Sequence, residues 1–123
     1  MPQPTPPVRM DAVLIESANP EALAEFYRQG FELPPPRYFN ADHLGFSLKS
    51  VYLGLERVSP APDRASGRIS IWFAVPNVEA VYRRLLDLGA KEKSPPKAEG
   101  GEILATVLDP DGNVVGLIQP ELK

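Results

Sequence analysis

Cysteine is absent from the 123 residues, and histidine and tryptophan occur once each, as His43 and Trp72. Without cysteine there are no disulfides, no thiolate nucleophile and no thiolate-held metal. Any Ser-His-Asp set would have to use His43, which sits in an Asp-His segment read as a surface turn, and no glycine-rich phosphate loop occurs. No apolar run approaches the ~18 residues of a membrane span. Residues 1–9 lack the apolar core of a signal peptide, so a cytoplasmic protein is expected. Lys/Arg runs are missing too, and the net charge is −3. Neither nucleic acid nor a membrane is an expected partner. Proline, by contrast, is plentiful, at 15 residues. It clusters at 2–7, 34–36, 60–62 and 95–96, which assigns it to a tail and to connections.

An apolar content of 43% and a length of 123 residues suit one soluble domain with a proper core. Asp109-Pro110-Asp111-Gly112-Asn113 is the sharpest local signal. Pro110 presets φ, Asp111 can bond back to its own backbone, and Gly112 takes positive φ without steric cost. Apolar runs at 103–108 and 114–118 flank it, so the segment predicts a β-hairpin.

The rest of the chain reads as two copies of one plan. Residues 1–9 form a Pro-rich arm. Residues 10–17 form a strand, and Asn19-Pro20 starts a helix with Leu23, Phe26 and Tyr27 on one face. Gly30 suits the residue just past that helix. Strands follow near 37–39, 44–48 and 51–58, and 59–67 reads as a linker. Then residues 68–75 form a strand, Asn77 caps a helix with Val78, Val81, Tyr82, Leu85 and Leu88 on one face, and Gly89 ends it. A short strand near 90–93, a loop at 94–101 and the hairpin complete the second half. Asn19 and Asn77, Glu21 and Glu79, and Ala22 and Ala80 all sit 58 apart; Gly54 and Gly116, each followed by Leu, sit 62 apart. The expected fold is α+β, with βαβββ modules at about 10–58 and 67–119 inside a single domain, 10–120. One helix covers one face of each sheet, so the other faces need cover and would enclose a cleft.

With the Asn-capped Phe26-Tyr27 helix, the paired modules and the Asp-Pro-Asp-Gly-Asn turn in order, the chain resembles the vicinal oxygen chelate superfamily over residues 10–120. That group includes glyoxalase I, extradiol dioxygenases and the bleomycin resistance proteins. The resemblance implies the glyoxalase/bleomycin-resistance-type cleft. In catalytic members, His, Gln or Glu side chains at four symmetry-related places hold a divalent metal. The matching places here are Ala12, Gly54, Ser70 and Gly116, the last standing seven residues after Asp109. None offers a normal donor, so no metal and no other cofactor is expected. The nearest branch is then the metal-free, drug-sequestering one.

Strand alternation assigns the cleft faces. Leu14, Glu16, Tyr52 and Glu56 point inward from one module; Trp72, Leu104, Thr106 and Ile118 do so from the other. These eight are the candidate ligand contacts. An apolar wall with an aromatic ring and two carboxylates suits an aromatic or cationic organic ligand. Trp72 fits core packing as well as ligand contact, and Glu16 and Glu56 lie near strand ends where carboxylates are commonly solvated. The expected function is metal-free binding of a small organic ligand, with no catalytic residue assigned. The alternative is a lyase or dioxygenase of the same superfamily with displaced metal ligands. Exposed sheet edges and open faces predict a homodimer.

Overall fold

The structure, a computed structural model, describes residues 10–59 and 70–120. The Pro-rich arm at 1–9, the linker beyond Ser59 and the start of the second module at 67–69 lie outside the described residues. Ten elements follow in order: β1 (Ala12–Ser17), α1 (Pro20–Phe31), β2 (Arg37–Asn40), β3 (His43–Ser47), β4 (Tyr52–Arg57), β5 (Ser70–Ala74), α2 (Val78–Asp87), β6 (Lys91–Glu99), β7 (Glu102–Leu108) and β8 (Val114–Gln119). They make two βαβββ modules, with sheets ordered β1-β4-β3-β2 and β5-β8-β7-β6. In each sheet the first and last strands of the module run parallel and the other neighbours antiparallel.

The caps work as their residue types require. Asn19 Oδ1 accepts from Ala22 N at 3.2 Å, and Asn77 Oδ1 from Ala80 N at 3.1 Å. These bonds satisfy amides that a helix start leaves unpaired. Gly89 follows α2 with φ of +105°, as a helix-ending glycine does. Gly30 does not play that part in α1. The helix continues to Phe31, and Glu32 takes the left-handed conformation. Gly30 lies where α1 crosses α2: a Cβ there would meet Leu85 Cδ2, and Arg84 Nε donates to its carbonyl at 3.0 Å. Its missing side chain serves close helix approach.

The 94–101 segment is also not a loop. The nine-residue β6 takes in 94–99, with register shifts on both sides of Ser94. Pro95 and Pro96 are tolerated because β6 is an edge strand with bulges.

The core lies between each sheet and its helix. Ile15, Leu53, Leu55, Leu44 and Phe46 pack under α1, and Val107, Val115, Leu117 and Ala105 under α2. The halves join through the helices. Phe31 stacks on Phe73 with ring centres 4.1 Å apart, and the Tyr27 hydroxyl donates to Asp109 Oδ2 at 2.6 Å. Asp109 also organises the hairpin turn: its Oδ1 accepts from Asp111 N and Asn113 N, both at 2.9 Å. The buried carboxylate of Asp109, and not that of Asp111, therefore shapes the turn. Of the helices and strands, only α1 and α2 bring the two modules within 8 Å between Cα atoms. The face of each sheet away from its helix stays open.

Candidate functional site

Residues opposite one another in a ladder share a face, so the registers define both open faces. On the first sheet three rows cross β3, β4 and β1: Ser47, Tyr52 and Ala12; Gly45, Gly54 and Leu14; His43, Glu56 and Glu16. On the second the rows cross β7, β8 and β5: Leu108, Val114 and Ser70; Thr106, Gly116 and Trp72; Leu104, Ile118 and Ala74. Each of the eight sequence-derived candidates falls on the face that alternation assigns it. They form two groups of four, one per sheet, and a single chain does not press the groups together.

The middle rows explain the glycines. A Cβ on Gly116 would collide with the indole of Trp72. That ring lies on the glycine and donates through Nε1 to Ser70 Oγ at 2.8 Å, so Trp72 covers Gly116 and is tethered by the exposed Ser70. In the first module a Cβ on Gly54 would meet Leu14 Cδ2 and the Tyr52 ring, and one on Gly45 would meet the Tyr52 hydroxyl. Leu14 and Trp72 hold equivalent positions, 58 residues apart. They remain 60% and 47% exposed, so they are covers on an open face and not core.

The last rows differ. Where the second sheet has Leu104, Ile118 and Ala74, the first has His43, Glu56 and Glu16. His43 is not a turn residue; it opens β3, half-buried, with Glu56 as its direct partner across the ladder. His43 Nδ1 bonds Glu56 Oε1, and Nε2 lies 2.8 Å from the Tyr52 hydroxyl. The two rings are nearly parallel, with centres 5.9 Å apart. Phe39 meets both edge-on, at 5.4 Å from His43 and 6.0 Å from Tyr52, and the Arg37 guanidinium sits 5.0 Å above Phe39. Burial raises the Tyr52 phenol above its ordinary range; Arg37 opposes this and Glu56 adds to it. Across the second face, Thr106 Oγ1 is buried with no hydrogen-bond partner, beside Gly116 and Trp72.

Sequence reasoning missed His43, Phe39 and Arg37. A signal existed: a turn centred on Lys49 and Ser50, closed by Leu48 N donating to Val51 O at 2.9 Å, sets His43 opposite Glu56 and Gly45 opposite Gly54. Tyr27 and Tyr82 are buried helix-face residues, as expected, but each hydroxyl also has a carboxylate partner, Asp109 and Glu92.

The metal places do not fit a metal. Ala12 has no donor, Gly54 lies under Leu14 and Tyr52, Gly116 lies under Trp72, and the exposed Ser70 hydroxyl is engaged by the indole Nε1. Among the described residues no group of three or more His, Asp or Glu side chains is arranged to hold an ion. The described residues also contain no helix long and apolar enough to cross a membrane.

Residues 12–118 match the sequence family described as a glyoxalase-like domain. No curated protein matches the chain. Solved structures share its fold. A glyoxalase-related enzyme from Fulvimarina pelagi is 20% identical, with a TM-score of 0.78, over 90% of this chain and 87% of its own. A glyoxalase/bleomycin resistance protein/dioxygenase family enzyme from Burkholderia phytofirmans is 17% identical, with a TM-score of 0.79, over 91% and 98%. The bleomycin resistance determinant encoded on transposon Tn5 is 22% identical, with a TM-score of 0.69, over 94% and 100%.

Proposed function

The chain belongs to the glyoxalase-like domain family, and from that premise we propose that it is a metal-free binding protein for an aromatic or cationic organic molecule. One observation carries the reading. At Gly54 and Gly116 the structure has hydrocarbon and aromatic ring where the family's enzymes place metal donors: Leu14 and Tyr52 in one module, Trp72 in the other. A half-exposed indole held by Ser70 is a platform for stacking. The two carboxylates of Glu16 and Glu56 favour positive charge on the bound molecule.

A second copy completes the site. Both open faces carry large exposed apolar groups, Leu14 at 60% and Trp72 at 47%. Burying such groups stabilises association by about 25 cal/mol per Å² of apolar surface removed from water. In a dimer the open faces are covered, and the ligand occupies a cleft between them.

Trp72 fluorescence tests the binding reading, because Trp72 is the single tryptophan. Titration with aromatic compounds, neutral and cationic, is expected to quench or shift its emission saturably. Unchanged emission across both classes would sink the proposal. Stoichiometric metal in the purified protein, resistant to mild chelation, would return attention to a metal-dependent enzyme.

A further inference from the structure

We propose that Tyr52 presents the open face of the first sheet with a hydrogen-bond acceptor and no donor. The site then selects aromatic ligands bearing a neutral O–H or N–H group over the same ligands with that group capped. The inference rests on the binding reading above and supplies a specificity for it.

The assignment follows from hydrogen-bond bookkeeping. A carboxylate has no proton to give, so in the bond between Glu56 Oε1 and His43 Nδ1 the imidazole donates. A neutral imidazole with its proton on Nδ1 has a bare Nε2, which can only accept. The Tyr52 hydroxyl, 2.8 Å away, therefore gives Nε2 its single proton. What remains toward the open face is the lone-pair side of the Tyr52 oxygen. Turning the hydroxyl outward would leave Nε2 without a partner in a half-buried place, which costs free energy.

Geometry keeps the arrangement in place. Gly45 and Gly54 lie side by side across β3 and β4, and a side chain on either would run into Tyr52. Their absence of Cβ lets the phenol lie along the sheet and reach His43, 9 residues away in sequence. Phe39 stands edge-on to both rings. It supplies the aromatic wall against which a ligand ring would rest.

The charged and titratable groups facing His43 are Glu56 and Tyr52 from β4, Glu16 beside Glu56 from β1, and Arg37 from β2 by way of Phe39. Glu56 is a positioning residue here: it sets the tautomer without touching the ligand's polar group.

The test uses 2-naphthol and its capped twin 2-methoxynaphthalene, titrated calorimetrically into the full chain. At about pH 8, the upper end of the interval in which imidazoles as a class change charge, 2-naphthol should bind roughly threefold to tenfold more tightly, the worth of one ordinary hydrogen bond. Tyr52→Phe should bring the ratio to near one. Glu56→Gln should lower it, because a glutamine amide no longer dictates the tautomer. Circular dichroism confirms that each variant folds, and the ratio between probes reads specificity independently of site occupancy. Equal binding of both probes by the unaltered protein would overturn this inference and leave the binding reading standing. A preference that survives Tyr52→Phe would overturn it too. Binding of neither probe would overturn this inference, and only if Trp72 emission also stayed unchanged with cationic aromatics would the binding reading fall with it.

Discussion

Replacing Tyr27 with Phe removes one oxygen from the seam between the modules, and the structure allows the cost to be worked out. Tyr27 is fully buried and Asp109 is 2% exposed, so water cannot replace the 2.6 Å bond between them. A hydrogen bond to a charged group is worth ~1.5–3 kcal/mol net. Asp109 keeps its other donors: Asp111 N and Asn113 N on Oδ1, and Asn113 Nδ2 on Oδ2 at 2.9 Å. The carboxylate is thus not stranded, and Tyr27→Phe should cost about 2 kcal/mol. At this chain length that corresponds to a melting point lower by roughly 6–12 °C. Asp109→Asn keeps Oδ1 for the two backbone amides but aims an NH₂ at the Asn113 Nδ2 donor, and the charge-assisted bond from Tyr27 becomes a neutral one in which the hydroxyl accepts. Its cost should be larger, roughly 3 kcal/mol. In the double variant the Tyr27 bond is already absent, so the losses should fall short of additivity by about 1–2 kcal/mol. Urea unfolding followed by circular dichroism, at one fixed protein concentration because association shifts apparent stability, measures all four corners of the cycle. A coupling below ~0.5 kcal/mol, the scatter of independent sites, would refute the view that this bond fastens the helix of one module to the turn of the other.

Metal analysis of the purified protein should find no stoichiometric Zn, Ni, Mn or Fe; a one-to-one content would contradict the reading of Ala12, Gly54, Ser70 and Gly116. Sedimentation at micromolar concentration should give twice the chain mass, and a single-chain mass would remove the shared cleft. Trp72→Ala should cost less than the ~3–5 kcal/mol of a packed core aromatic, since 47% of Trp72 is exposed, and should weaken aromatic ligands by roughly 1–3 kcal/mol; outright unfolding would make Trp72 plain core. Glu16→Gln should weaken cationic ligands and spare neutral ones, to be read by the same titration. Gly116→Ala should displace the indole, shifting its emission to the red and costing ~1–3 kcal/mol by overpacking; unchanged emission would show that the ring does not rest on Gly116. Burial, and then the Glu92 carboxylate, push the Tyr82 phenol up to about 12 from an ordinary 10.0. The folded state therefore holds that proton more tightly than the unfolded chain, so stability is unaffected below about pH 10 and declines from there towards pH 12. Tyr82→Phe should flatten that decline, and parallel curves for the two proteins would contradict the assignment.

The elements whose signals are local were legible in the chain itself. Asn19 and Asn77 announce helix starts because a short side-chain acceptor satisfies the free amides of the first turn. Asp-Pro-Asp-Gly-Asn announces a turn because its backbone angles are preset. The 58-residue offset between matching residues announces two modules, and strand alternation alone separates helix-facing from open-facing positions in β1, β4, β5 and β8. Other features depend on which strand lies beside which. Pro95 and Pro96 read as a loop, since only the sheet order shows β6 to be an edge strand where missing amide donors cost little. Gly30 read as a helix end, since only the crossing of α1 and α2 shows why it must be small. His43 read as a surface residue because its partners, Glu56 and Tyr52, are brought to it by the register of β3 on β4, and a register is a relation between strands. The bond from Tyr27 to Asp109 spans 82 residues and exists because the two helices pack together. Residue chemistry and spacing determined the modules and their faces. Tertiary packing decided which side chains on those faces meet, because contact between distant residues follows from strand pairing and helix docking.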